Sequence, residues 1–311
     1  MIINKAHFIW FGDKLPWANS LAVESAARYG GFDKVIFHFE KGLGESAALS
    51  QLVKHPNIEM RELSPISLLG NIDGLGVELV NIFNRLESFA AKANMVRAAI
   101  LLSEGGVYLD TDTVTLRSFT PLLDTGVFCG CEHIALPGEL FATRLPGPWI
   151  KAGLKLAARD ICRRIPKGWR MFKKIEHFYQ PAVNNAVLGA EKGHEFIREL
   201  MQRMIALPGK QQLVRYALGS HLIQSIVAES FYEDLTIHPP EYFYPLGPEI
   251  SQHWFREYPS LHLDEILTQS TYCVHWYGSV KTTKSIPKIN PDFIKCNSGT
   301  QLYSALVRPL V

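Results

Sequence analysis

Glu104-Gly105-Gly106-Val107-Tyr108-Leu109-Asp110-Thr111-Asp112 decides how this chain is read. The two glycines end a helix, because glycine takes the left-handed conformation at helix C-termini without steric cost. The apolar triplet that follows is short enough for a buried strand, and it runs straight into two aspartates. Alternate residues of a strand share a face about 6.6 Å apart, so Asp110 and Asp112 can aim at one point from a strand end. Two carboxylates there suit a hard divalent cation, Mg²⁺ or Mn²⁺, that keeps positions open for phosphate oxygens. Read alone, Asp-Thr-Asp is equally a polar turn; the helix, glycine pair and strand around it favour a ligand site at the end of an open α/β sheet.

Upstream, residues 86–104 carry an apolar stripe of helical period: Leu86, Phe89, Ala90, Ala93, Val96, Ile100 and Leu101. Arg97 and Asn94 lie along its edge. A buried arginine requires an anionic partner, which is either a nearby acid that holds the helix or the phosphate of a ligand. Earlier still, 6–12, 34–40 and 58–63 read as strands, with helices over 16–29 and 46–55 between them. This β-α-β-α-β order predicts a parallel sheet with crossover helices, the first half of a Rossmann-like nucleotide-binding fold. Downstream, strands over 113–117 and 127–131 extend that sheet, followed by helices over 148–161, 181–206 and 212–231. Short strands are expected at 242–245 and 272–275, and the proline-bearing 286–311 reads as a surface tail.

Composition sets the limits. The 311 residues are 47% hydrophobic and 20% charged with a net charge of +2, so the chain can fill a core and is neither disordered nor a general nucleic-acid binder. Five scattered cysteines without CxxC spacing read as reduced thiols in a cytosol-like compartment. There is no signal-peptide pattern and no run of roughly 18 uncharged apolar residues, so any membrane contact is expected to be peripheral. One stretch suits such contact. Residues 151–174 hold nine lysines and arginines against the single acid Asp160, which is either a solvated helix face or a surface for anionic lipid on the inner face of a membrane.

The run from Ala91 to Asp112 resembles the signature of the DXD-containing sugar-transferase family. That family includes yeast initiating α-mannosyltransferases, bacterial capsule and lipopolysaccharide sugar transferases and, distantly, clostridial glucosylating toxins. Arg97, Gly105, Gly106, Tyr108, Asp110 and Asp112 match its pattern, and Ala93-Asn94 stands where Ser-Asp is usual. His7-Phe8-Ile9-Trp10-Phe11-Gly12 is similar to the family's opening strand. Asn185 to Ala190 with Gly193 to Ile197, and Phe243-Tyr244-Pro245, are similar to later stretches. His275-Trp276-Tyr277-Gly278-Ser279-Val280-Lys281 resembles both the C-terminal motif of glycogenin-like transferases and part of the present family's motif.

The resemblance implies a GT-A-type domain over 1–285 with a helical insertion about 147–231. It implies a metal-dependent transfer, with retention, from a nucleotide-sugar, UDP-linked, to a glycan, glycolipid or protein hydroxyl, in polysaccharide or lipopolysaccharide synthesis. Asp110, Asp112 and His275 become metal ligands, with Asp110, Asp112, Arg97 and Asn185 as catalytic groups and Asn184 or Asn185 near the acceptor. Trp10, Phe8, Asn94, Arg97, Tyr108, Asp110, Ser279 and Lys281 become donor contacts. By composition alone Trp10 is a core aromatic and His275 a structural histidine. Three other functions stay open: an effector transferase acting on a host protein, a nucleotidyltransferase, and an inactive carbohydrate-binding protein. Residues 11–20 lack the early glycine-rich loop expected of the nucleotidyltransferase.

Overall fold

The computed structural model describes residues 1–137, 140, 143, 145–214, 216–279 and 285–311. Among these the strands are β1 (Lys5–Trp10), β2 (Lys34–Glu40), β3 (Ile58–Leu63), β4 (Gly106–Leu109), β5 (Thr113–Thr115), β6 (Val127–Ile134), β7 (Gln180–Ala190), β8 (Leu235–His238) and β9 (Cys273–His275). The helices are α1 (Trp17–Tyr29), α2 (Ala47–Val53), α3 (Pro65–Gly70), α4 (Gly76–Arg85), α5 (Phe89–Glu104), α6 (Pro146–Arg164) and α7 (Trp169–Ile175). They continue with α8 (Glu195–Ala206), α9 (Gly209–Gln212), α10 (Ser220–Glu229), α11 (Pro240–Phe243), α12 (Pro291–Asn297) and α13 (Leu302–Val307).

Seven strands form one sheet in the order β3-β2-β1-β4-β7-β6-β8. Every neighbouring pair is parallel except those made by β7, which runs against both β4 and β6. The first half is the crossover unit that the β-α-β-α-β pattern predicts. Strand alternation splits the core between the two sheet faces. Ile9, Phe11 and Tyr108 join the cluster under α5, while Phe8, Val107 and Leu109 join the cluster beneath α1.

Four expectations need correction. Residues 181–190 are not helix but β7, in the middle of the sheet, so the helical insertion is interrupted by a core strand. The alanine-rich Ala186-Val187-Leu188-Gly189-Ala190 reads as helical locally; burial between two strands overrides that preference. Strand β5 does not extend the main sheet but pairs antiparallel with β9. Residues 240–243, around the expected strand at 242–245, form the helical turn α11 that two prolines initiate. Finally, 286–311 is no surface tail: Leu302, Tyr303 and Val307 of α13 are fully buried against Trp254 and Trp276. One-turn helices give too few residues for a periodic signal.

The Gly105-Gly106 pair sits where the chain turns from α5 into β4. Both residues have positive φ, +67° and +110°. A Cβ would lie 2.7 Å from the Lys192 amide nitrogen at Gly105 and 2.8 Å from the Lys5 carbonyl at Gly106. Only glycine fits this corner, and the corner aims β4.

Beneath it lie two buried histidines. His7 Nε2 donates to the Gly105 carbonyl (3.0 Å), and His7 Nδ1 accepts from His38 Nε2 (3.0 Å). Burial pushes His7 down to about 4 and, with His7 beside it, His38 to about 2. Both are therefore neutral in the fold and take up protons more readily when unfolded. Their stabilisation is complete above the ordinary value near 6.5 and declines as pH falls toward about 4. We expect urea unfolding to show a loss of a few kcal/mol between those limits. A pH-independent midpoint there would contradict this.

Candidate active site

The site begins on α5. A Ser88 N-cap accepts the Ala91 N–H at its start, and Arg97 faces the sheet with its side chain 5% exposed. Tyr108 and Asp110 follow one another on that same face of β4. The Arg97 guanidinium lies 4.1 Å from the Tyr108 ring centre and pairs with Asp110 Oδ1 at 2.7 Å. Its other nitrogen donates to the Asn185 carbonyl. Tyr108 also donates to Asp110 Oδ1 at 2.8 Å. All these bonds go to Oδ1; among the described residues Oδ2 accepts none.

Beyond Asp110 the chain turns tightly. The Asp110 carbonyl accepts the Thr113 hydroxyl at 2.8 Å, and the Asp110 N–H reaches the Ala186 carbonyl of β7 at 2.8 Å. Asn19 of α1 donates to the Thr111 carbonyl at 3.2 Å. The β5–β9 ladder then sets Thr113 opposite His275. Its register brings His275 Nε2 to 2.9 Å from Asp112 Oδ1, while the Gly278 N–H donates to Oδ2 at 2.7 Å.

One ligand atom each from Asp110, Asp112 and His275 lies within 4.8 Å of the others. Neighbouring ligands of an octahedral cation with bonds of about 2.1 Å stand about 3 Å apart, which the Asp112–His275 separation of 2.9 Å matches. His275 Nδ1 is buried and has no partner among the described residues, and the donor set is two hard carboxylates with one imidazole. The residues fit a divalent cation. Electrostatics agree with the geometry. Burial, opposed by Arg97 and reinforced by the neighbouring Asp112 charge, raises the Asp110 carboxyl. Burial acts the same way on Asp112, but His275 and the Gly278 N–H outweigh it and hold that carboxyl low. Burial disfavours a charged His275, yet Asp112 beside it raises it above the ordinary histidine value. A cation held by these three residues would take the place of that imidazole proton.

A cleft of about 790 Å³ opens over these groups. Of the expected residues, Arg97, Asp110, Asp112, His275, Asn94, Asn184, Asn185 and Ser279 line it. Asn94 and Asn185 are linked there at 2.9 Å. Tyr108 lies beneath the site, with its ring under Arg97 and its hydroxyl on Asp110. Trp10 is half-buried at the end of β1, its indole N–H bonded to the Lys14 carbonyl at 3.1 Å. Phe8 corrects the expectation: it has no exposed surface and packs in the core under α1, since its alternation parity points it away from the site face. Lys281 falls outside the described residues. The sequence reading missed Glu132, whose Oε2 accepts from Tyr277 at 2.6 Å and from Asn184 at 2.7 Å on the cleft wall. Burial raises its carboxyl despite both bonds. The signal was an acid ending the otherwise apolar run Val127 to Cys131.

A Rossmann-like half-sheet thus presents paired acids, an arginine and an imidazole at one strand end. Residues 38–128, from β2 to the start of β6, match the model of the family described as glycosyltransferase sugar-binding region containing DXD motif. No curated protein matches the chain. Among solved structures it is similar to the PaToxG glycosyltransferase, with 14% identity, a TM-score of 0.46 and coverage of 73% of this chain and 69% of that one. It is also similar to mouse xyloside xylosyltransferase 1, with 11% identity, a TM-score of 0.49 and coverage of 91% and 99%. The apo WbbM bifunctional glycosyltransferase is a third, with 12% identity, a TM-score of 0.42 and coverage of 98% of this chain; the chain spans 51% of that protein's length.

Proposed function

We propose that this protein is a metal-dependent glycosyltransferase that moves a sugar from a UDP-sugar to a hydroxyl of a glycan or glycolipid, with retention. The observation that carries the reading is the convergence of Asp110, Asp112 and His275 at the end of β4, beside Arg97. His275, 165 and 163 positions from Asp110 and Asp112 in sequence, otherwise has no reason to share a charged corner with them.

Mg²⁺ or Mn²⁺ held by Asp110, Asp112 and His275 supplies a Lewis acid that neutralises the departing diphosphate. The remaining work belongs to the chain. Arg97 fixes Asp110 through a charged hydrogen bond and opposes the rise that burial imposes on its carboxyl. The Gly278 N–H fixes one oxygen of Asp112, and His275 holds the other until a cation would take its proton's place. Asn94 and Asn185, already bonded to each other, present amide groups to the sugar hydroxyls, and Asn184 holds Glu132. Trp10, on Phe8's side of β1 but only half-buried at the strand end, is assigned to the uracil ring, and Ser279 and Lys281 to the diphosphate. Front-face displacement needs no protein nucleophile: the acceptor oxygen bonds the anomeric carbon, the carbon–oxygen bond to diphosphate breaks, and the leaving oxygen accepts the hydroxyl proton.

The five free cysteines support a cytoplasmic setting, and the resemblance to capsule and lipopolysaccharide transferases supports polysaccharide assembly. The effector reading uses the same chemistry on a protein hydroxyl, and an acceptor screen separates the two. The decisive experiment is UDP-sugar hydrolysis with and without Mn²⁺; metal-independent turnover would overturn the mechanism.

Glu132 gives a finer test. Its raised carboxyl favours the neutral acid, a hydrogen-bond donor toward a sugar hydroxyl. Glu132→Gln keeps a donor and is expected to stay within about tenfold of wild-type kcat/KM, whereas Glu132→Ala loses about a hundredfold. Equal losses in steady-state kinetics would exclude a donor role.

A further inference from the structure

Helix α6 is apolar on the side where a surface helix is normally polar. Its inner face is set by Ala152, Cys162 and Arg163, all buried, with Arg163 and Arg159 gripping Glu249. At 100° per residue, Ile150, Leu154, Ala157 and Ile161 fall within about 60° of one another, on the opposite side. All four are exposed, Ile150 at 63%, Leu154 at 67% and Ile161 at 53%. A helix that is apolar on both faces has something covering each. Trp149 adds an exposed aromatic at the N-terminal end, and Met171 and Phe178 extend the exposed apolar surface along the following segment.

The charge around this stripe says what covers it. The basic stretch of 151–174 is partly spent inside the fold: Arg159 and Arg163 pair with Asp160 and Glu249, and Lys167 and Arg170 pair with Glu265. Lys151, Arg164 and Lys174 are exposed and form no ion pair among the described residues. Asp160, the acid on α6, is bound by Arg159 and Arg163. The stripe is therefore apolar and rimmed by uncompensated cations, the pattern of a helix lying in an anionic lipid interface. A soluble acidic partner has no use for the apolar centre, and a second copy would set the same cations against each other.

We infer that α6 docks this protein onto an anionic membrane through Ile150, Leu154, Ala157 and Ile161, with Lys151 and Arg164 against lipid headgroups. A flank of the docked helix, beside Lys151 and Lys155, faces toward the reaction site. The N-terminal turn of α6 lines a second cavity of about 510 Å³, which shares Pro137 and Gln180 with the active-site cleft. Resting on the proposed function, this deepens it: the acceptor is lipid-linked and reaches the cleft from the surface to which α6 is bound.

The test is sedimentation of the full chain with phosphatidylcholine vesicles and with vesicles containing phosphatidylglycerol. Wild type is expected to partition onto the anionic vesicles only. The double substitution Leu154→Glu and Ile161→Glu, at exposed positions, is expected to lower partitioning at least about tenfold, and Lys151→Glu with Arg164→Glu to lower it most at low salt. Hydrolysis of UDP-sugar in solution stays unchanged in both, so loss of docking and failure of the transferase reading give separate results. Wild type that ignores anionic vesicles overturns the inference. So does a Leu154→Glu, Ile161→Glu variant that still binds, or a wild-type dimer in ultracentrifugation that this variant dissolves, which would make a second copy the occupant.

Discussion

Asp112→Asn is expected to lower metal-stimulated UDP-sugar hydrolysis by about a thousandfold while the protein stays folded. Asparagine keeps the shape of the side chain and an oxygen for the Gly278 N–H, so the turn between β4 and β5 survives. What disappears is the charge. His275 loses the partner that holds it at 2.9 Å, and the cation site loses one of two carboxylates. Removing one preorganised electrostatic contact to a developing oxyanion costs a factor of about 10²–10³, and loss of a bound metal costs more. Chelation by EDTA should reproduce the loss in wild type, and added Mn²⁺ should reverse it there but not in the variant. Hydrolysis by the variant at the wild-type rate, with an unchanged thermal midpoint, would remove Asp112 from the chemistry.

Arg97→Ala should damage both stability and turnover. The arginine is nearly inaccessible, stacks on Tyr108, and binds the Asp110 carboxylate and the Asn185 carbonyl through different nitrogens. Its removal takes from Asp110 the guanidinium that opposes both burial and the neighbouring Asp112 charge. Breaking a buried pair by deleting one partner costs about 3–5 kcal/mol, and the remaining access of Asp110 to water puts the expected value near the lower end. Arg97→Lys should recover little, because a single ammonium cannot serve the two acceptors and the ring together. Urea unfolding measures the stability, and kcat/KM the turnover. A variant as stable as wild type would show that Asp110 needs no partner within the fold.

The parts of this fold that sequence reveals are those with long or chemically distinctive signals. Strands β1 to β4 and helices α1 and α5 repeat their apolar positions over enough turns to be recognised, and Gly105-Gly106 marks the corner before the acids. Asp110, Asp112, Arg97 and His275 announce themselves by residue type. Strand β7 does not, because a strand buried on both sides has no alternation and its alanines favour helix elsewhere. Phe8 shows the converse limit. A motif placed it near the donor, but side-chain parity along β1 sends it to the opposite face. Glu132 was hidden because its role depends on Tyr277 and Asn184, which lie on other strands or loops and converge only in three dimensions. The outward stripe of α6 was masked by counting all charges in 151–174 together; folding neutralises some of them and leaves others exposed.

The β5–β9 ribbon carries a consequence for how this protein comes to life. Asp112 and His275 are 163 positions apart, and their contact depends on pairing between these two short strands. During synthesis the nucleotide-binding half can collapse once β4 has emerged, yet its acids wait for a partner still inside the ribosome. The proposed cation site is thus completed only once β9 has been made, and an interrupted translation product with a well-packed amino-terminal half would lack it.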